Sequence, residues 1–138
     1  MSYLLDTNIV SELVRKTPSD VVVNWLRAIP SDKLYLSVLT LGELRKGIEK
    51  LAQGKKKNTL SFWLENDLFE LFANNILTVD HAVADQWGYL AATLPRPLPV
   101  IDALLAATAR VHNLKFVTRN VRDFEVPGLE VINPFTYL

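Results

Sequence analysis

Five acidic or amide side chains follow short apolar runs in this sequence, and their types suit the binding of a hard divalent cation. Each lies early in the helix or loop that comes after a predicted strand or after a proline-rich connector. They are Asp6, Glu43, Asp102, Asn120 and Asp123. In a parallel sheet such positions collect at the carboxyl edge of the strands, where residues distant in sequence can meet.

Several carboxylates at one edge are costly unless something neutralises their charge. At about 4 Å each pair repels by ~1 kcal/mol in water and by ~4 kcal/mol at an effective dielectric of about 20. The sequence has no cysteine and no histidine near these positions, so oxygen ligands predict Mg²⁺ or Mn²⁺. Metal-held carboxylates suit phosphodiester hydrolysis, because the metal lowers the pKa of bound water and offsets charge that develops on the phosphate.

Each of these residues also has an ordinary structural interpretation. Asp6 or Thr7 can cap the helix that follows. Asp102 can stabilise its helix through a favourable interaction of its negative charge with the macrodipole, an effect of ~0.3–1 kcal/mol. Glu43 can be a solvated helix residue, and the loop from Asn120 to Asp123 can be a plain turn. Taken singly, these interpretations compete well with chemistry. Taken together, they require four coincidences at one sheet edge, so we favour a shared site.

Length, composition and charge describe one globular domain over residues 1–138. The chain is 49% hydrophobic, and fifteen basic residues balance fifteen acidic ones, so a polyanionic substrate must be held by a local patch or by metal ions. The absence of cysteine excludes disulfides and thiolate zinc sites. The N-terminus lacks the basic region of a signal peptide, and no run approaches the ~20 apolar residues that span a bilayer. We expect a cytoplasmic protein that does not associate with membranes.

Apolar periodicity predicts five short strands that alternate with helices. The predicted strands are Tyr3–Leu5, Leu34–Leu36, Ile76–Val79, Lys115–Thr118 and Val131–Ile132. The predicted helices cover about Ile9–Val14, Pro18–Ile29, Leu39–Leu51, Thr59–Ala73, Asp80–Leu94 and Ile101–His112. We expect Pro18 at the first position of the second helix and Gly54 as the stop of the third. The alternation predicts an α/β fold with a short, mostly parallel sheet and helices on its faces.

The helix predicted from about Thr59 to Ala73 is apolar around most of its circumference. Its apolar residues are Leu60, Phe62, Trp63, Leu64, Leu68, Phe69, Leu71 and Phe72. One small domain rarely buries a helix on nearly all sides, and the alternative is that another chain covers part of it. We therefore favour a protein–protein face on this helix.

Four motifs, taken in order, resemble the PIN domain, and in particular the VapC/FitB-like toxins of bacterial toxin–antitoxin pairs. The motifs are Leu4–Asn8, Ser37–Gly47, Ile101–Ala109 and Thr118–Phe124. The resemblance covers essentially the whole chain and implies a PIN-like three-layer sandwich. It also implies a Mg²⁺- or Mn²⁺-dependent endoribonuclease that forms a homodimer and is silenced by a cognate antitoxin bound in a helical groove.

The family pattern implies a role for each acidic position. Asp6, Glu43 and Asp102 would be the acidic metal ligands. The fourth site falls on Asn120, where many relatives carry an aspartate, and Asp123 lies a turn further on. This departure leaves open whether Asn120 or Asp123 completes the site.

The resemblance also suggests supporting and RNA-binding residues. Thr7 and Thr118 would orient carboxylates or metal-bound water through their hydroxyls. A local basic patch is available for RNA phosphates, although solvated helix ends would give the same pattern. This patch consists of Arg45, Lys46, Lys55, Lys56 and Lys57.

Two other functions compete with this interpretation. A phosphatase similar to the haloacid dehalogenases would use Asp6 as a nucleophile. The first motif of those enzymes has the pattern D-x-D, whereas position 8 here is Asn. A catalytically silent PIN-like module that binds RNA or protein would not need Asp6, Glu43 and Asp102, all of which are present. The sequence leaves open the RNA target, the antitoxin and the number of metal ions.

Overall fold

A five-stranded sheet forms the centre of the computed structural model, which describes residues 1–136. Its strands run β3-β2-β1-β4-β5 across the sheet, and all four neighbouring pairs are parallel. The strands are β1 (Tyr3–Leu5), β2 (Leu34–Ser37), β3 (Ile76–Leu77), β4 (Lys115–Val117) and β5 (Val131–Ile132). The five predicted strands are confirmed, although β3 is shorter than predicted.

Seven α-helices connect or follow these strands within residues 1–136. They are α1 (Thr7–Val10), α2 (Asp20–Arg27), α3 (Val38–Glu49), α4 (Lys55–Phe62), α5 (Leu68–Leu71), α6 (His81–Thr93) and α7 (Val100–Val111). A 3-10 turn (Ser11–Val14) extends α1, a π-helical turn (Trp63–Asp67) joins α4 to α5, and a 3-10 turn (Val121–Phe124) follows β4. In this part of the chain, every helix is too short or too polar to cross a bilayer.

Strand residues alternate between two hydrophobic cores, one on each face of the sheet. Leu5 and Val117 point into a core that contains side chains from α1 to α5. Leu4 and Phe116, their neighbours, point into a second core formed with α6 and α7. This period-2 alternation is the expected geometry of a strand buried on both faces. The predicted three-layer α/β sandwich is therefore confirmed.

Two predictions about helix boundaries were wrong. Ser19, not a residue before Pro18, caps α2, because its hydroxyl accepts from the amide of Val22 at 3.4 Å and the helix begins at Asp20. Gly54 does not stop α3, which ends at Glu49. It instead precedes α4 with φ of 153°, a conformation that glycine adopts without steric cost.

The predicted apolar helix exists as α4, the π-helical turn and α5, and it begins four residues earlier than expected. One side of this segment packs into the first core through Leu64, Leu68 and Phe72. Phe62 and Phe69 remain 61% and 48% exposed. A single chain therefore covers only part of the apolar surface of this segment.

Candidate active site

The order of the strands creates a switch point at the carboxyl ends of β1 and β4. The chain leaves β1 towards β2 and β3 on one side, and later returns to β4 and β5 on the other. Crevices at such points are the usual ligand sites of open α/β sheets. Asp6 directly follows β1, and Thr118 directly follows β4.

Asp6 is a buried carboxylate, 7% exposed, surrounded by hydrogen-bond donors. Its Oδ1 accepts from the amide of Thr7 at 2.7 Å, so Asp6 does cap α1. Its Oδ2 accepts from the hydroxyl of Thr118 at 2.7 Å and from Nδ2 of Asn8 at 3.4 Å. Burial raises the pKa of Asp6 above its ordinary value, the bonds from Thr118 and Thr7 oppose that rise, and the negative charge of Glu43 adds to it.

Glu43 is brought to the same edge by α3, which starts directly after β2. The hydroxyl of Ser37 caps this helix by accepting from the amide of Leu39 at 3.0 Å. The half-buried carboxylate of Glu43 accepts from the hydroxyl of Thr7 at 2.6 Å. Thr7 therefore links the two acids, because its hydroxyl donates to Glu43 and its amide donates to Asp6.

Asp102 lies in the first turn of α7, on the other face of the sheet, and is half-buried. Burial raises its pKa to about 6, and the negative charges of Asp6, Glu43 and Asp123 contribute to the rise. Four acids from four different parts of the chain thus share one electrostatic field at this edge.

The loop after β4 carries the two candidates for the fourth position. The amide of Asn120 donates to the hydroxyl of Thr118 at 3.1 Å, and the amide of Asp123 donates to the carbonyl of Asn120 at 3.0 Å. Both side chains are exposed. Phe124 anchors the turn because its ring lies 4.4 Å from that of Phe116 in the second core. Of the two candidates, only Asp123 adds negative charge at Asp102.

The donor set fits a hydrated hard cation better than a fully protein-coordinated one. Within residues 1–136, no three Asp, Glu or His side chains are spaced to ligate a single ion directly. Mg²⁺ usually keeps several waters and uses one or two carboxylates. Asp6 together with Asp102 or Glu43 meets that requirement.

The basic patch expected from the sequence is partly neutralised by Glu49 on α3 and by Glu65 in the π-helical turn. Arg45 pairs with Glu65 at 2.7 Å and with Glu49 at 3.2 Å. Lys57 lies 3.6 Å from the carboxylate of Glu49 and donates to its carbonyl oxygen at 3.3 Å. The exposed members of the patch are Lys46, Lys55 and Lys56.

A groove of about 1180 Å³ lies between the turn after α1 and the helices α3 and α4. Its floor is apolar and its edges are basic. The lining includes Val14, Leu44, Ile48, Leu60 and Trp63 together with Arg15, Lys16, Lys55 and Lys56. Sequence analysis missed Arg15 and Lys16, because only the packing of α1 against α3 brings them beside the other lysines.

Asn8 is the site residue that sequence analysis overlooked, having considered it only as the missing acid of a D-x-D motif. Its side chain donates to Asp6 and Thr118 and accepts from the amide of Arg119. The signal for it is a polar residue two positions after a strand-end acid, which becomes informative only when the pairing of β1 with β4 is known.

Comparisons with known proteins identify the family. The PIN domain model matches residues 3–128. The toxin FitB of Neisseria gonorrhoeae is 39% identical over 135 residues, which cover 96% of this chain and 97% of that protein. The VapC ribonuclease Y4jK of Sinorhizobium fredii is 34% identical over 135 residues, which cover 96% of each protein.

Solved structures agree with the sequence matches. FitAcB from Neisseria gonorrhoeae superposes with a TM-score of 0.90 at 38% identity, covering 98% of this chain and 99% of that one. A toxin–antitoxin complex from Klebsiella pneumoniae gives a TM-score of 0.71 at 28% identity, covering 96% and 98%. This chain therefore belongs to the PIN domain family, and within that family it is similar to the VapC- and FitB-like toxins.

Proposed function

We propose that this protein is an endoribonuclease toxin that hydrolyses RNA phosphodiester bonds with a bound Mg²⁺ or Mn²⁺ and is inhibited by an antitoxin protein. The observation that carries the proposal is the convergence of acids at the carboxyl edge, where Thr118 donates to Asp6 at 2.7 Å and Thr7 donates to Glu43 at 2.6 Å. Burial and the charges of Asp6, Glu43 and Asp123 also raise the pKa of Asp102 to about 6. The relatives that are named as a toxin and a ribonuclease support the same activity.

Asp6, Glu43 and Asp102 would hold the cation through oxygen ligands, directly or through water. When bound, the cation would lower the pKa of a water molecule and offset charge on the phosphate and the leaving oxygen. The protein's own contribution is orientation. Thr118 and the amide of Thr7 fix the Asp6 carboxylate, and the hydroxyl of Thr7 fixes Glu43.

RNA phosphates would be held by exposed cations on α3 and α4. Lys55 and Lys56 line the basic edge of the groove, and Lys46 lies exposed on α3. Arg45 is a weaker candidate, because two glutamates already neutralise it. An overall charge of zero makes such local contacts the source of affinity for a polyanion. The enzyme would act in the cytoplasm, where RNA substrates are present.

The same groove suits the antitoxin. An apolar floor and basic edges complement an amphipathic segment with acidic side chains. Such a segment would cover Lys55 and Lys56, so it would inhibit the enzyme by taking the surface that RNA needs. The similarity to a toxin–antitoxin complex supports a partner of this kind.

The protein would act as a homodimer through the exposed apolar surface of α4 and α5. Phe62, Phe69 and Leu71 are between 48% and 61% exposed. Large apolar side chains that one chain leaves uncovered on a single segment favour an interface with a second chain. The opposite side of the segment is already packed into the first core.

Cleavage of labelled RNA by the purified protein tests the activity. We expect cleavage in Mg²⁺ or Mn²⁺, none in EDTA, and a loss of at least about 100-fold in the Asp6→Asn variant at unchanged secondary structure, because several kcal/mol of transition-state stabilisation depend on the ion. Asp85→Asn, which changes an exposed acid on α6, should cleave like the wild type. A wild-type protein that binds RNA or antitoxin but cuts no RNA would support the silent PIN-like module instead.

A further inference from the structure

The backbone hydrogen bonds between β1 and β4 end at the amide of Asp6, although the spacing of the two strands would place one more bond beyond it. The amide of Lys115 donates to the carbonyl of Ser2 at 3.0 Å, and the amide of Asp6 donates to the carbonyl of Val117 at 2.9 Å. Bonds in a parallel ladder are evenly spaced. The next donor along this ladder is therefore the amide of Arg119, and the matching acceptor is the carbonyl of Asp6.

That carbonyl is already used by the first turn of α1. The Asp6 carbonyl accepts from the amides of Ile9 and Val10 at 3.0 and 3.2 Å. The side chain of Asn8 supplies the missing acceptor, because its Oδ1 accepts from the amide of Arg119 at 3.2 Å. Asn8 thus continues the ladder by one bond beyond the point where the two backbones diverge.

The nitrogen of the Asn8 side-chain amide contacts both Asp6 and Thr118, the residue whose hydroxyl donates to Asp6. Nδ2 of Asn8 lies 3.4 Å from Oδ2 of Asp6 and 3.3 Å from the hydroxyl oxygen of Thr118. That hydroxyl donates to Asp6 and accepts from the amide of Asn120. One side chain therefore connects the acid after β1 with the loop that carries the fourth-site candidates.

The loop is held from its far side by residues near β5. The carbonyl of Arg119 accepts from Nδ2 of Asn133 at 3.4 Å, and the guanidinium of Arg119 lies 4.5 Å from the centre of the Phe135 ring. On the near side, two side chains join the loop to the end of β1. The hydroxyl of Thr118 bonds Asp6 and the amide of Asn120, and the side chain of Asn8 bonds the amide of Arg119.

We infer that Asn8 is a positioning residue of the site, which sets the distance between Asp6 and the loop after β4 by replacing a backbone ladder bond with its side-chain amide. This inference rests on the proposed nuclease function. Asn8 touches the acid but has no acidic or nucleophilic group of its own, so it acts through Asp6 and Thr118.

The Asn8→Ala variant removes all three contacts. We expect kcat for RNA cleavage to fall about 10–100-fold, the usual cost of losing a partner that orients a metal ligand, with KM changed by less than about threefold. Exchange of the Arg119 amide proton, followed by NMR, should accelerate at least about fivefold on loss of its acceptor. Asn24→Ala, which changes an exposed asparagine on α2, is the matched control and should leave both quantities unchanged.

The Asn8→Asp variant distinguishes the acceptor role of the Asn8 side chain from its donor role. It also provides a test if the alanine variant does not fold. It retains an acceptor for the Arg119 amide and loses both donors. We expect Arg119 exchange to stay within about twofold of wild type while kcat falls, because Asp6 and Thr118 lose a donor.

Three results would overturn the inference: an unchanged kcat in either variant, a raised KM at constant kcat, or faster exchange spread evenly over the core amides. Failure of the nuclease proposal would look different. The wild type would then cut no RNA, while the alanine variant would still accelerate exchange at Arg119.

Discussion

The hydroxyl of Thr118 donates a 2.7 Å hydrogen bond to the carboxylate of Asp6, a residue 112 positions earlier in the chain. The bond joins the ends of two neighbouring parallel strands at the switch point of the sheet. Thr118 is fully buried and Asp6 nearly so. A charged group this deep requires fixed donors, and Thr118 is the side chain that opposes the rise in its pKa most strongly.

Replacing Thr118 with valine tests that bond. The change keeps the shape of the side chain but removes the hydroxyl donor from Oδ2 of Asp6 and leaves the amide of Asn120 without its acceptor. We expect urea unfolding to show a loss of about 1–3 kcal/mol and RNA cleavage to fall about 10–100-fold. Thr118→Ser, which restores a hydroxyl, should recover most of both; equal losses in the serine variant would argue against the bond.

Removing the charge of Asp102 should stabilise the metal-free protein at alkaline pH. Its pKa is raised from 3.8 to about 6 in the folded state, so the folded protein binds the proton more tightly than the unfolded chain does. The resulting stabilisation is complete below about pH 4 and is lost as the pH rises through 6. At pH 8 in EDTA we expect Asp102→Asn to raise the free energy of unfolding by about 1 kcal/mol, after allowance for solvent screening of this half-buried group.

The pH dependence is the control for that prediction. Measured at the same ionic strength at about pH 3, below the ordinary pKa of 3.8, where Asp102 is mostly protonated in both states, most of the gain should disappear. A gain that is the same at pH 3 and pH 8 would show that the effect comes from packing or helix propensity. A loss at pH 8 would contradict the destabilisation of the charged form by burial and by Asp6, Glu43 and Asp123.

Most of the fold could be predicted from the sequence, because the central strands are continuous apolar runs. Leu4 and Leu5 face opposite cores, as do Phe116 and Val117, and only a sheet covered on both faces buries such runs completely. The polar residues that follow these runs mark the strand ends. Asp6 could therefore be placed at the carboxyl edge before any coordinates were known.

Contacts that depend on the packing of separate helices could not be predicted. The sequence does not show that Arg45 is paired, but the packing of α3 against the π-helical turn after α4 brings Glu65 to 2.7 Å from it. The role of Asn8 was hidden for a related reason, since it depends on the register of β1 against β4. Gly54 was misread because a glycine between two helices can end one or begin the next.

Salt dependence should distinguish the exposed lysines from the paired arginine. Lys56→Ala should weaken RNA binding and reduce the slope of log affinity against log salt by about 1, as expected when one phosphate contact is lost. Arg45→Ala should leave the slope nearly unchanged, because Glu49 and Glu65 already neutralise its charge. Lys33→Ala, at the amino end of β2, is the control. A larger effect of Arg45 than of Lys56 would contradict this assignment.

If the protein forms the proposed homodimer through α4 and α5, polar substitutions of the exposed apolar side chains on this segment should dissociate it. Phe62→Ser combined with Phe69→Ser removes the two largest exposed apolar side chains of this segment. Sedimentation velocity should then give the mass of a monomer instead of twice that mass. Tyr89→Ser changes an equally exposed aromatic residue on α6 and should leave the dimer intact. A double variant that remains dimeric would place the interface elsewhere.

Anomalous diffraction from crystals grown with Mn²⁺ tests most directly whether the strand-end acids form one cation site. We expect a single strong peak at the carboxyl ends of β1 and β4, with oxygen atoms of Asp6 and Asp102 at about 2.1 Å or joined to the ion through water. Asp6→Asn crystals should lack this peak. No peak, or a peak bound by other residues while these acids stay unliganded, would show that the strand-end acids do not form a cation site.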